Sequence, residues 1–592
     1  MKLADYVIQR LAAEGIDTAF VVDGAAAADL IHAVNDTPGI KYVCMQHEQA
    51  AGFAAEGYAK VKGVPGLAIA TSGPGGQNLV TAIANCMYDS VPAIFLTGQV
   101  RTEFMSDDPR IRQKGFQETP IVEIVRPITK ASFCIKDPAG IRYWLEYLIW
   151  KCKEGRPGPV LLDLPIDVQR AEIDPDTLSP FRPMVEPWET GLDAIIYDFL
   201  EHLARARRPA ILIGGGARGC EKELNYVATR LGIPIFTTWN AVDIIASDNP
   251  CWAGKVGTYG GEGRNFGIQN CDVLLAIGTR VSGRITGGRP DTFARGARRY
   301  LVNIDPQAAR GNDVRWDRTC HRDAATFLRR LVDTLGNSIH LPHFGDWLTR
   351  CRDWAERYDP VENAEKVAGS GIHPYQFVRE LSLQAPANAI VVADCGGNLV
   401  TTMHAWKTKT GQRLFSSNGN SPMGFALAGA IGAHFADPTR PVICIIGDGG
   451  MQVNIQELQT LATYGIPLKI VVLDNGCYGI TKQFQETNFA GKALACDRET
   501  GYRSPNFISL AYDYGTHFFN RVEELEDFED PNTFGDFLAV GKAPFLLLLR
   551  CPGFRRYEPR ISSGGVPIEE MTPPLPADEF AANMIVPSLR SQ

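Results

Sequence analysis

Short apolar runs alternate with stretches of helical spacing along most of the chain, and this alternation predicts doubly wound α/β units, each built on a parallel sheet. Three such units follow one another. The first spans about 1–175, with strand candidates at Thr18–Val22, Lys41–Met45, Gly66–Thr71, Ala93–Thr97 and Pro159–Leu164. A Pro-rich stretch from Asp174 to Pro187 reads as a linker. The second unit, about 190–345, has candidates at Ala210–Gly214, Pro234–Thr237, Val273–Ile277 and Tyr300–Ile304. The third, about 370–551, has Ala389–Asp394, Val442–Ile446, Leu468–Asp474 and Phe545–Arg550. A tail, 552–592, is rich in proline and charge and is expected to wrap the surface.

Composition narrows the function classes. The 592 residues are 45% hydrophobic and 21% charged, as in a soluble globular protein. A net charge of −8 speaks against a nucleic-acid partner. No apolar run approaches the roughly 20 residues that cross a bilayer. The opening MKLADYVIQRLAAEGID has helical spacing and reads as a first helix, not a signal peptide. The 14 cysteines are dispersed without a CxxC pair, which fits buried apolar residues in a reducing cytoplasm.

The most informative stretch is 446–479. One apolar run ends in Gly447-Asp448-Gly449-Gly450; a helical stretch follows, and a second run ends in Asp474-Asn475. A helical crossover between parallel strands is right-handed, so Asp448 and Asn475 emerge at the same carboxyl edge of one sheet. Ligands of open α/β sheets bind at that edge. A carboxylate and an amide oxygen there suit a hard cation such as Mg²⁺, whose remaining positions go to phosphate oxygens. Glycines let backbone N–H groups approach a diphosphate at a helix start.

The first unit adds Gln46-His47-Glu48-Gln49 after a strand, then Ser72-Gly73-Pro74-Gly75 running on to Asn78. Together with Asp89-Ser90-Val91-Pro92, Phe116-Gln117-Glu118, Gly155-Arg156-Pro157-Gly158-Pro159 and the GDG…N spacing, these motifs resemble, in order and over nearly the whole chain, the acetohydroxyacid synthase-like branch of thiamine diphosphate enzymes. The resemblance implies that Glu48 bonds the pyrimidine nitrogen of thiamine diphosphate and promotes removal of the thiazolium proton. Burial in an apolar cleft would raise its pKa from about 4.3 into the range where it can share that proton. The resemblance also implies Mg²⁺ held by Asp448, Asn475 and the carbonyl of Cys477, and cofactor contacts from Gly73, Asn78, Gly396, Gly397, Asn398, Gly449, Gly450, Tyr478 and Gly479. Met423 matches the bulky residue that props the cofactor into its bent shape. Phe116 and Gln117 match residues that shape the pocket and touch acceptor or intermediate. Glu48 and Asp448 lie on different units, so the resemblance implies an active site between subunits of at least a dimer.

The middle unit carries Gly214-Gly215-Gly216-Ala217-Arg218-Gly219 after a strand, a GxGxxG that by itself leaves FAD, ADP or an empty domain open. In the related branch this domain holds a structural FAD, and Arg280, Arg284 and Asp305 match its neighbourhood. An NAD-dependent oxidoreductase would need an acid about 20 positions beyond the loop. Glu221 and Glu223 are too near, the Ile233–Thr237 run has none, and Asp243 lies past its end.

The chain departs from the branch near the acceptor and the flavin. Ser282-Gly283 replaces an Asp-Asp pair, Phe484 replaces a tryptophan, and Gly254-Lys255-Val256-Gly257 lacks a Met-His. Arg284 survives and is suited to a forked contact with an acceptor's carboxylate or phosphate. Simple decarboxylases of the related superfamily use two adjacent histidines near the Phe116 position; here no two histidines are adjacent, so the resemblance implies that the acid that would release aldehyde is missing. The expected activity is therefore decarboxylation of pyruvate with transfer of the two-carbon unit to a carbonyl acceptor: a second pyruvate, or a nucleotide-linked keto sugar or other ketone, since the tail resembles that of enzymes making branched deoxysugars. A non-catalytic thiamine- or nucleotide-binding protein would be expected to have lost Glu48 or Asp448, and both are present.

Overall fold

A computed structural model describes residues 1–108, 110–183, 191–336, 341–365, 373–522, 532–539, 541, 543–562 and 565–589. The expected start of the third unit near 370, and the end of the Pro-rich linker, lie outside them. Among the described residues, eighteen strands form three six-stranded sheets in which every pair of neighbours is parallel.

The first sheet contains β1 (Thr18–Val21), β2 (Lys41–Cys44), β3 (Gly66–Ala70), β4 (Ala93–Gln99), β5 (Ala131–Cys134) and β6 (Pro159–Pro165). The second contains β7 (Pro209–Ile213), β8 (Ile235–Thr237), β9 (Trp252–Lys255), β10 (Val273–Ile277), β11 (Arg298–Val302) and β12 (Arg318–Cys320). The third contains β13 (Ile390–Ala393), β14 (Arg413–Phe415), β15 (Val442–Gly447), β16 (Lys469–Asp474), β17 (His517–Val522) and β18 (Phe545–Arg550). Central strands such as β4, β6 and β16 are buried at every position, because helices cover both faces of a parallel sheet.

The sheet orders are β2-β1-β3-β4-β6-β5, β12-β11-β10-β7-β8-β9 and β14-β13-β15-β16-β18-β17. The first and third are the same topology. The order reverses direction between β1 and β3, between β7 and β10, and between β13 and β15, and each reversal opens a crevice at the carboxyl ends where ligands bind.

Five strands went unforeseen from the sequence: β5, β9, β12, β14 and β17. All five are sheet edges. An edge strand has one unpaired side and needs no long apolar run, so the hydrophobic pattern is weakest there.

The first and third domains are joined by two helices, Glu48–Lys62 and Phe425–Ala436, packed backbone to backbone. A Cβ at Gly432 would lie 1.8 Å from the Ala54 carbonyl oxygen, and one at Gly57 would lie 2.1 Å from that of Gly429. Only glycine permits this approach. The tail does more than cover the surface. Arg264 donates to the carbonyl of Met571, Asn265 to that of Ile568 and Asn270 to that of Asn583, so buried polar groups of the central domain clamp it. Among the described residues, no helix is long and apolar enough to cross a membrane.

Candidate active site

The crevice between β13 and β15 holds a cavity of about 160 Å³. Gly396, Gly397 and Asn398 line it after β13, and Asp448, Gly449 and Gly450 after β15. Met423 forms one wall, and Asn475, Cys477, Tyr478 and Gly479 close it after β16. The structure thus assembles in one place all the residues of the third unit expected to bind a diphosphate and its metal. The glycines are a tight cradle: a Cβ at Gly397 would meet the Tyr557 hydroxyl, and one at Gly449 would lie 2.5 Å from the Tyr478 ring and 3.1 Å from the Met423 methyl.

Asp448 is buried and begins a helix. Tyr502 Oη donates to its Oδ2 at 2.9 Å, and Ser504 Oγ lies 2.7 Å from the same oxygen and 2.9 Å from Asp474 Oδ1. One hydroxyl proton serves only one of these carboxylates. Burial pushes the Asp448 carboxyl up to about 6, and no cation stands among its described neighbours. Asn475 donates through Nδ2 to the Phe554 carbonyl at 2.7 Å, which leaves its Oδ1 with only a long 3.3 Å bond from the Cys477 N–H. A buried carboxylate without a counter-charge beside a nearly free amide oxygen fits a divalent cation. Asp394, at the end of β13, serves differently. Its carboxylate accepts the N–H groups of Gly424 and Ala426, next to Met423.

In the first domain, Glu48 opens its helix after His47, whose Nδ1 accepts the Gln49 N–H as a cap. Asn78 Nδ2 donates to Glu48 Oε2 at 2.9 Å. Gly73 has φ 64° and supports Gln117, which itself has φ 64°. Glu48, Gly73, Asn78 and Gln117 are thus gathered at the crevice of the first sheet. The apolar cleft expected around Glu48 is not complete within one chain: Glu48 is half-buried, and Phe116 is 85% exposed.

The helix pair explains why. Ala54 faces Gly432 and Gly57 faces Gly429, so the helices run antiparallel. Glu48 therefore stands at one end of the pair and Met423, just before the other helix, at the opposite end. At 1.5 Å rise per residue over the 15-residue helix, the two levels are about 20 Å apart. Glu457, on the helix beyond Asp448, accepts the N–H groups of Gln46 and His47 and fixes the Glu48 end against the same chain's third domain.

The crevice between β7 and β10 opens into a cavity of about 780 Å³. Gly214, Gly215, Arg280 and Arg284 all line it. A Cβ at Gly214 would meet the Gly278 carbonyl, so the first glycine is needed for strand-end packing. The Arg284 guanidinium lies 5.4 Å from the Trp239 ring centre, which stacks on Tyr259. Asp305 is not in the lining; it pairs at 3.2 Å with Arg156, which is. The other two domains contribute as well, through Lys60, Asp89, Arg413 and Asn418.

Three family profiles match in the same order as the sheets: the N-terminal TPP binding domain of thiamine pyrophosphate enzymes at 1–124, their central domain at 196–331, and their C-terminal TPP binding domain at 394–532. The acetolactate synthase large subunit of Parasynechococcus marenigrum is 35% identical over 524 residues, covering 86% of this chain and 81% of that one. The probable acetolactate synthase large subunit of Methanocaldococcus jannaschii is 36% identical over 527 residues, covering 87% and 86%. The chloroplastic acetolactate synthase of Arabidopsis thaliana is 30% identical over 576 residues, covering 95% and 83%. The chain belongs to the thiamine pyrophosphate enzyme family. Within it, the chain is acetolactate synthase-like.

Several residues of this thiamine pyrophosphate enzyme's site were not foreseen. Tyr557 comes from the tail, yet it lines the cavity between β13 and β15, its hydroxyl 3.3 Å from Asn475 Nδ2. Tyr502 and Ser504 reach Asp448 from a loop that carries no recognisable motif. Glu457 was legible only as part of a crossover helix.

Proposed function

We propose that this thiamine pyrophosphate enzyme decarboxylates pyruvate and joins the resulting two-carbon unit to a carbonyl acceptor. The reading is carried by one observation: Asp448, Asn475, Met423 and the glycine cradle share one crevice in a chain whose relatives over most of their length are acetolactate synthases. When bound, thiamine diphosphate with Mg²⁺ supplies a nucleophilic carbon and an electron sink for the loss of CO₂.

Asp448, Asn475 and the Cys477 carbonyl would hold the metal, and the backbone N–H groups around Gly449 and Gly450 would face the diphosphate at a helix start. Met423 would pack against the bound cofactor. Glu48, oriented by Asn78, would hold the proton shared with the cofactor's pyrimidine nitrogen. Phe116 and Gln117 shape the pocket around pyruvate and acceptor and exclude water. Because Glu48 and Met423 of one chain stand about 20 Å apart, each site takes Glu48 from one subunit and the diphosphate cavity from another, and a homodimer is the smallest active form. The central cavity takes FAD: its size, its glycines and the guanidinium of Arg280 suit a dinucleotide diphosphate. The fourteen unpaired cysteines suit a reducing cytoplasm.

The acceptor is where the chain departs from the family pattern, at Ser282-Gly283 and Phe484. A second pyruvate is the acceptor that the relatives' names favour, so the assay supplies pyruvate alone and then with a panel of ketones, including keto sugars. Glu48→Gln is expected to retain thiamine diphosphate binding and lose about 10²- to 10⁴-fold of CO₂ release from pyruvate, the range of a general acid–base group. Full activity in that variant refutes the role of Glu48, and no CO₂ release from pyruvate by the native chain refutes the donor.

A further inference from the structure

Met423 sits at the end of a loop, 416–424, with no regular structure of its own. Its far side is held by its own domain: Asp394 accepts the Gly424 N–H at 3.1 Å, and Asn454 Nδ2 donates to the Gly424 carbonyl at 3.0 Å. Its near side is held by the first domain. Asp89, at the end of a helix more than 300 positions earlier in the chain, accepts the Asn418 N–H at its Oδ2 and the Gly419 N–H at its Oδ1, each at 2.7 Å. The Asp89 side chain is only 2% exposed. Lys60 completes the clamp. Its Nζ donates to Asp89 at 3.1 Å, to Glu56 at 2.7 Å and to the Ser416 carbonyl at 2.7 Å. Asn420 Nδ2 donates to Asn85 Oδ1 at 2.8 Å, one turn before Asp89.

A carboxylate taking two consecutive backbone N–H groups fixes both the position and the peptide-plane orientation of the loop, and charge-assisted bonds of this kind are about twice as strong as neutral ones. Lys60 belongs to the same helix that Glu48 opens. One rigid helix therefore presents Glu48 at its start and braces the Met423 loop near its end.

We propose that Asp89, seated on Lys60, is a positioning residue for catalysis: it sets Met423, and so the bent cofactor, from the amino-terminal domain of the same chain. The inference rests on the thiamine-dependent reading above. Met423 and Gly424 are held by bonds at both ends of the loop, and loss of the Asp89 end lets the prop move away from the cofactor. A shift of about 1 Å in such a prop costs on the order of 10- to 100-fold in rate.

Two variants test this. Asp89→Asn keeps the shape but turns an amide toward one of the two N–H groups. Gly419→Ala keeps every charge, and its Cβ would meet Tyr88 Cβ at 2.7 Å, pushing an exposed loop residue off Asp89 without touching the core. Deuterium exchange at the thiazolium carbon of bound thiamine diphosphate is measured under saturating cofactor and Mg²⁺, alongside kcat and KM for pyruvate and the denaturant midpoint. Both variants are expected to slow exchange and kcat in parallel by about tenfold or more, with KM and midpoint close to the native values. If Asp89→Asn does not fold, Gly419→Ala decides alone. Native exchange rates in the folded variants overturn this inference and leave the thiamine reading intact. A native chain that does not accelerate exchange over free cofactor overturns both.

Discussion

The antiparallel helix pair can be tested by Gly432→Ala. A Cβ there would lie 1.8 Å from the Ala54 carbonyl oxygen, and side-chain carbons essentially never come within 3.0 Å, so the helices must part by at least 1.2 Å. The obstacle is backbone and cannot rotate aside. Overpacking of a tight core costs about 1–3 kcal/mol, and the upper half of that range applies here. Alanine returns roughly 1 kcal/mol through its better helix propensity. The net loss is then about 1–2 kcal/mol, modest for stability. The displacement is the larger effect, because it moves the Glu48 helix relative to the third domain by about the distance that costs 10²-fold in rate. Gly429→Ala is the matched control: same helix and same propensity gain, but the nearest atoms to its Cβ would be those of the Phe425 ring, a side chain rather than backbone, at 3.0 Å. CO₂ release from pyruvate and urea unfolding are measured for both. Gly432→Ala should lose about 10- to 100-fold in activity with a small fall in midpoint, whereas Gly429→Ala stays within about threefold of native. Equal behaviour of the two variants refutes the geometry of the helix pair.

Two further outcomes are expected. Glu457 is a buried acid whose carboxyl is pushed up to about 7 by burial. An acid raised in the folded state costs nothing below its unfolded pKa of about 4.5, loses stability as pH rises, and bears its full cost above about 7; between pH 5 and pH 8 this amounts to roughly 2–3 kcal/mol. Unfolding free energies at pH 5 and pH 8 should differ less in Glu457→Gln than in the native chain by that amount; identical pH slopes would contradict the assignment. Arg280→Ala removes a central-cavity cation that, among the described residues, has no acidic partner close enough to pair with it; burial, and then the charge of Arg156, hold its pKa below the usual arginine range. Flavin content of the purified protein should drop about tenfold or more, as for loss of a charge-assisted contact to a diphosphate, and an unchanged visible spectrum would place the dinucleotide elsewhere.

Much of this site was legible because its parts sit at strand ends. Asp448, Asn475, Gly214 and Gly73 each lie within three positions of the end of an apolar run, and parallel topology carries such residues to one edge whatever the loops do. Residues that reach the site from irregular segments were not legible. Tyr557 lies in a segment whose proline and charge suggested surface, and Tyr502 and Ser504 follow no periodic pattern. Asp305 is a different case: it follows β11 at the expected place, but its carboxylate is engaged by Arg156 of the first domain, and Arg156 rather than Asp305 lines the cavity. The clamp on the Met423 loop joins residues over 300 positions apart, and neither spacing nor composition encodes such a pair. Nor could sequence show that Glu48 and Met423 of one chain point away from a common crevice, since that follows from the glycine register of two helices.

The account's central claim is that each site combines Glu48 of one chain with the Asp448 cavity of another. Subunit complementation tests it directly. Glu48→Gln and Asp448→Asn chains, each nearly inactive alone, are mixed, unfolded and refolded together, and CO₂ release from pyruvate is measured. In the mixed dimer, the Glu48 of the second variant meets the Asp448 of the first, so one of its two sites is intact. With random pairing, the mixture should recover about a quarter of native activity. Recovery no greater than the sum of the two inactive variants, with mixed dimers present, would contradict the shared site.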